Sequence, residues 1–179
     1  MPAWFNAVWP VVTFTLGLAS TYLTSFINEK RQISREAKAR EAEREKAVTD
    51  RRETFELDHL VRLNEALQDL ARAAAQAHLA DMRVSRETGH YASTLLPEGI
   101  SDTFHQAGRT VRMLKNVVLD DALRDQVTKA AHALHVPSMM MRAEPGKAER
   151  AFFEATELVE AAQEAVAQRI REIYASAEA

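Results

Sequence analysis

Four short patterns in this chain place reactive side chains at helical spacing. Glu56-x-x-His59 has the step by which di-iron and di-manganese bundles present a carboxylate and an imidazole to a metal pair. Such a centre also takes a second copy of the motif and two further inward carboxylates. No second copy exists here, so no di-metal centre is expected. His132-x-x-His135 puts two imidazoles on one helix face, which ligates zinc once a third donor joins. The plainer reading, adopted here, is a polar face near a helix C-terminus, where His complements the dipole. His78 and Asp81 stand at i,i+3 and can pair, although Asp81 falls at the end of an apolar seam and is expected to turn outward. His90 and His105 have no partner that spacing identifies. Met139-Met140-Met141, between Pro137 and Pro145, is the most unusual local sequence. It is either an adaptable surface for a partner protein or a cap on the open end of a helical core. The first reading requires those side chains to stay accessible beside Leu95, Leu96 and Tyr91.

With no cysteine, disulfides, thiolate metal sites and cysteine nucleophiles are excluded. No Gly-rich phosphate loop, nucleophile elbow or Ser/His/Asp arrangement can be made out. The chain is therefore not expected to be an enzyme, and no metal or cofactor is assigned to it.

The elements that position these residues follow from composition. Among 179 residues there are 5 Gly and 5 Pro, too few for the many tight connections of an all-β fold. Ala, Glu, Gln, Arg and Leu are abundant and tolerate helix well, so the fold class is all-α. The formal net charge is −3, which disfavours nucleic acid as a partner.

Residues Pro2 to Asn28 contain no charged side chain, and Glu29-Lys30-Arg31 closes the run. That length suffices for about 30 Å of hydrocarbon. Trp4 and Trp9 near one end and Tyr22 toward the other sketch an interfacial aromatic belt. Asn6, Thr13, Thr15, Ser20, Thr21, Thr24 and Ser25 dilute the hydrophobicity. A cleaved signal peptide lacks support because no basic n-region precedes the run. A buried apolar helix inside a soluble oligomer is the other alternative. The expectation is thus a transmembrane anchor over residues 1–28. Basic residues follow it and none precedes it, so the span crosses the inner (plasma) membrane once with its N-terminus outside and its body cytoplasmic. Thr13, Gly17, Thr21 and Ser25 recur every fourth residue, a spacing that lets two membrane helices approach closely. Self-association into a homo-oligomer and, less readily, a polar lining are the functional readings of that face.

A charged helical stalk is expected over residues 29–56. Between Glu29 and Glu53, 16 of 25 residues are charged, with Glu36 and Arg40 in the favourable i,i+4 order. It acts as a solvated spacer or joins a loose coiled coil. Lys30, Arg31 and Arg35 lie where anionic lipid headgroups would meet them. Residues 57–179 form an antiparallel four-helix bundle. Leu60, Leu63, Leu67, Leu70, Ala74 and Ala77 make an a/d seam, widened by Leu57, Val61, Ala71 and Ala73. Gly89 terminates that helix, and Pro97 and Gly99 suit positions i+1 and i+3 of a turn before Ser101 caps the next. Phe104, Ala107, Val111, Leu114 and Val118 follow. Asp120 or Asp121 starts a third helix that ends before Pro137, with a loop from Val136 to Gly146. Phe152, Ala155, Val159, Ala162, Val166, Ile170 and Ile173 align on a last helix from Lys147 to Ser176.

An N-terminal span followed by Glu29-Lys30-Arg31-Gln32 and a charged Ala/Glu/Arg helix resembles the membrane-proximal part of the ATP synthase peripheral-stalk b subunit. The likeness covers about a third of the chain, and the loops near Gly89 and Val136 break the continuous helix that family has. The whole layout resembles bacterial single-pass, membrane-anchored helical proteins. Neither resemblance transfers a functional residue. The expected role is a membrane-tethered interaction or scaffold protein with membrane lipid and an unidentified protein as partners. Association of spans would raise local concentration while the stalk sets the distance of the bundle. The rival is a membrane-active effector, a toxin or phage-defence component, acting through oligomerised spans.

Overall fold

The fold is that of a computed structural model, which describes the backbone of residues 3–177 and the side chains of residues 30–175. It is all-helical: α1 (Ala3–Thr88), α2 (Ile100–Lys115), α3 (Asp121–Met139) and α4 (Pro145–Ala177), with no strand among the described residues. The chain divides into two compact units, Met1–Arg51 and Arg52–Ala179.

In the first unit, residues 30–51 are helical and every side chain is exposed. Glu36 and Arg40 approach to 3.7 Å, and the Gln32 amide donates to Glu36 at 3.2 Å. Exposed pairs of this kind contribute little, about 0–1 kcal/mol each. No helix among the described residues is long and apolar enough to cross a membrane. From residue 30 onward charged residues interrupt the apolar positions of every helix, whereas crossing takes about 20 consecutive, predominantly apolar residues. That finding corrects the expectation of a single-pass inner-membrane protein with an outer N-terminus and a cytoplasmic body. Thr13, Gly17, Thr21 and Ser25 lie outside the described side chains. The expected tether and its rival, the membrane-active effector, were both argued from that span.

In the second unit, the seam predicted on α1 is the spine of the core. Leu60, Leu63, Leu67, Leu70, Ala74 and Ala77 are all buried, and Ala66 and Ala73 widen the stripe. Val61, expected to join them, is exposed, because it lies on the far side of the helix from Leu63 and Leu70. Phe104, Val111 and Val118, then Leu123, Val127, Ala130 and Leu134, then Ala155, Val159, Ala162, Val166 and Ile173 complete one continuous cluster. Apart from Val118, which lies in the loop after α2, these positions follow the 3.6-residue period.

Contacts fix the direction of each helix. Glu56, early in the buried part of α1, meets Arg169 late in α4, whereas His78 stacks on Phe152 early in α4. Lys115, ending α2, bonds Thr128 early in α3, whereas Phe104, early in α2, meets His135 late in α3. Neighbouring helices therefore run antiparallel, with the α1–α2 and α3–α4 loops at one end.

Local chemistry sets the turns. Gly89 has φ +78°, the left-handed conformation of a helix terminator. Gly99 has φ +81° and precedes α2, and Ile100 N–H donates to Pro97 O at 3.2 Å. Pro97 thus opens the turn and Gly99 takes its third position, one residue off the expected register. Thr103 bonds Gly99 O through both its N–H and its hydroxyl, so Ser101 caps nothing. Asp120 does cap α3, accepting from Leu123 N–H at 3.0 Å. The α3 helix runs past Pro137 to Met139, four residues into the expected loop. Pro137 is buried there beside Tyr91, Phe104 and Phe152, and that packing outweighs the hydrogen bond its ring removes in the final turn. Pro145 opens α4, where a missing N–H costs nothing.

The Glu56 carboxylate is buried, and Arg169 Nε donates to it at 2.8 Å. Arg169→Ala would leave that charge in the core without its donor. We expect a loss of about 1–3 kcal/mol in urea unfolding. Adding Glu56→Gln should recover part of it, because the stranded charge is then gone.

Candidate functional site

The sequence patterns come to rest in three places. The Glu56–His59 pair does not converge: Glu56 faces Arg169, while His59 Nδ1 donates to Phe55 O at 2.9 Å. Since a carbonyl only accepts, that nitrogen must carry the proton. Among the described residues no group of three His, Cys, Asp or Glu side chains is placed to hold a metal.

The second place is the loop end of the bundle. Tyr91 folds back over the C-terminal part of α1 and is 1% exposed. Its N–H donates to Ala143 O at 2.9 Å, joining the two loops. Ala92 and Arg142, the residues flanking that bond, have φ of +46° and +54°. Left-handed backbone costs a non-glycine residue roughly 1 kcal/mol, so the two loops hold their path against local preference. His78 Nδ1 lies 3.0 Å from the Tyr91 hydroxyl oxygen, and its ring stacks on Phe152 at 4.4 Å. Asp81, expected to turn outward, is 5% exposed, because Tyr91 covers the end of the seam. His78 pairs with Tyr91 instead of with Asp81.

Burial sets the electrostatics of this cluster. Desolvation lowers the His78 pKa, partly offset by Glu149, so the ring is neutral at neutral pH. Desolvation raises the Asp81 pKa. The Tyr91 pKa is pushed far up, by burial first and by the Asp81 charge second, so its hydroxyl keeps its proton. The space these groups share with Ala74, Phe104, Leu134 and Phe152 is about 10 Å³, no more than one water molecule fills. A substrate cannot enter, and the cluster is a polar clasp within the core.

Around the clasp, the methionines and Leu95 do not cap the core. Met139, Met141 and Leu95 are exposed, and Met140 is half-buried. Sequence spacing found these residues but not the bond between the loops, which joins positions 52 residues apart.

The third place is a groove of about 270 Å³ between α2 and α3. Arg112 and Lys115 form one wall, Thr128, His132 and His135 the other, and Met139 closes one end. Gly108 and Ala131 complete its lining. His135 Nδ1 donates to Ala131 O at 2.7 Å, and its ring lies so near α2 that a Cβ on Gly108 would stand 3.2 Å from it. His132 and His135 thus share a face, as their spacing implies, but His135 Nδ1 is committed to the backbone. The opposing Arg112 and Lys115 were missed because sequence spacing shows which residues share a helix face, not which faces meet. Lys30, Arg31 and Arg35, the expected lipid contacts, lie together on the exposed helix of the first unit.

Comparison of the chain with family models, curated proteins and solved structures gave no match.

The clasp makes stability depend on pH in a defined direction. Asp81 holds its proton more tightly in the folded than in the unfolded chain, so ionisation favours unfolding as pH rises through and above 3.8. Asp81→Asn should therefore raise the thermal midpoint at pH 7. At pH 3, where the native carboxyl is protonated as well, the gain should shrink toward zero. Calorimetry at both values checks the sign.

Proposed function

We propose that this chain is a protein-interaction module whose binding face is the loop end of its bundle. The observation carrying this reading is exposure: Leu95 is 97%, Met139 69% and Met141 77% exposed, all at that one end. Large apolar side chains gathered in water mark contact sites more often than scattered ones do. Methionine, unbranched and polarisable, adapts to irregular apolar partners. The Tyr91–Ala143 hydrogen bond and the packing of Tyr91 under the loops favour binding, since a face already held in shape loses less entropy on association. An interaction or scaffold role also suits a second unit whose four helices form a core without committing these three residues to it. The partner is an apolar or amphipathic protein segment, either on another protein or on a second copy of this chain.

A photo-crosslinking amino acid replacing Leu95 in the full-length chain tests this in cells. One discrete adduct is expected, and its mass separates a homo-oligomer from a complex with another protein. Met139→Asp combined with Met141→Asp should remove the adduct while the circular dichroism spectrum stays the same. A chain that forms no discrete adduct, or one indifferent to the paired substitution, overturns the reading.

A further inference from the structure

We propose that the groove between α2 and α3 binds a small phosphorylated organic molecule. Arg112 and Lys115 hold the phosphoryl dianion, and Ala131 and Met139 bound the carbon part. The first support is charge. Arg112 and Lys115 stand one helical turn apart, no acidic side chain lines the groove, and neither cation makes an ion pair among the described residues. The acids nearest along α3 are engaged elsewhere, Asp121 with Arg124 at 2.7 Å and Asp125 with Lys129 at 2.7 Å. Residues 54–179 carry 14 basic against 19 acidic side chains, so this cationic groove stands out against an acidic unit. Two adjacent cations repel one another, and a shared anion turns that repulsion into attraction.

The second support is positioning. Lys115 Nζ donates to Thr128 Oγ1 at 3.0 Å, and the Thr128 hydroxyl donates onward to Arg124 O at 2.7 Å. The ammonium is thereby held at the groove wall with two of its three N–H donors left over. The Arg112 guanidinium has its whole donor fork available, the geometry that matches phosphate oxygens in pairs. His135 donates from Nδ1 to the backbone, so Nε2 of the neutral ring is an acceptor and the anion is left to the two cations. The glycine at position 108 lets that ring lie close to the α2 backbone.

Charge and size choose the ligand class. A phosphomonoester carries close to two negative charges at neutral pH and satisfies both cations, where a carboxylate carries one. The volume of about 270 Å³ lies just below the usual range for small-molecule pockets, which suits a compact phosphate ester and excludes a dinucleotide.

Isothermal titration of the full-length chain in low-salt, phosphate-free buffer tests this with phenyl phosphate, inorganic phosphate and benzoate. Phenyl phosphate should bind most tightly, with the other two weaker by about tenfold or more. Arg112→Gln and Lys115→Gln should each weaken phenyl phosphate by on the order of tenfold. Both are lost contacts at the groove wall, so the thermal midpoint without ligand should hold for Arg112→Gln. Phenyl phosphate failing to bind at millimolar concentration, benzoate or inorganic phosphate binding as tightly as it does, or affinity unchanged by both substitutions would each overturn the assignment. These outcomes are independent of the crosslinking result at the loop end.

Discussion

Everything in the second unit is arranged around the burial of one stripe on α1. Leu60, Leu63, Leu67 and Leu70 reach 0–1% exposure, and α2, α3 and α4 each direct their own apolar stripe toward that spine. Fully burying a leucine contributes about 1.5–3 kcal/mol, so these four positions alone are comparable with the whole net stability of a typical domain. The alanines that continue the stripe at positions 66, 73, 74 and 77 contribute less each, but they let the neighbouring helices come close. Between α2 and α3 the approach is as close, and one glycine, Gly108, decides whether the His135 ring can lie against α2.

The two ends of the spine are finished differently, and the difference is chemical. Near its start, a carboxylate drawn into the core is matched by the Arg169 guanidinium, so a full charge is neutralised by a full charge. At the other end, His78, Asp81 and Tyr91 are buried under the loops, and each shifts toward its neutral form. A buried polar group without compensation costs about 1–3 kcal/mol, and the described residues contain no fully buried side-chain donor or acceptor left without a partner. The loop end is thereby packed beneath and apolar above, with Met139, Met141 and Leu95 outside the clasp. The α2–α3 groove opens from the same region, since Met139 belongs to both.

Residues 30–51 obey another constraint. Along this stretch α1 withdraws no side chain from water, so no packing supports it and helix propensity with local pairing holds it. Local ion pairs and side-chain hydrogen bonds such as those around Glu36 assist it. The transition at Arg51–Arg52 falls just before Glu53 and Glu56 begin to lose exposure. A boundary drawn where leucines begin therefore lies a few residues late, because the first residue drawn deep into the core is a glutamate with a partner far away in sequence.

The amino-acid sequence by itself determined the helices, the leucine seam, an aspartate at the start of α3 and nearly every buried apolar position, since these depend on periodicity and on neighbours within one turn. It also placed Gly89 as a terminator and pointed to the methionine run. Tertiary structure decided whatever depends on facing partners: Glu56 against Arg169, Asp81 drawn inward beneath Tyr91, α3 carried through Pro137, and Lys115 set across from Thr128. It also overturned the reading of a protein anchored in a membrane by a single span. The physical reason is range. A helix repeats every 3.6 residues, so spacing records which side chains share a face, but which faces meet is settled only when separate helices bury their stripes together.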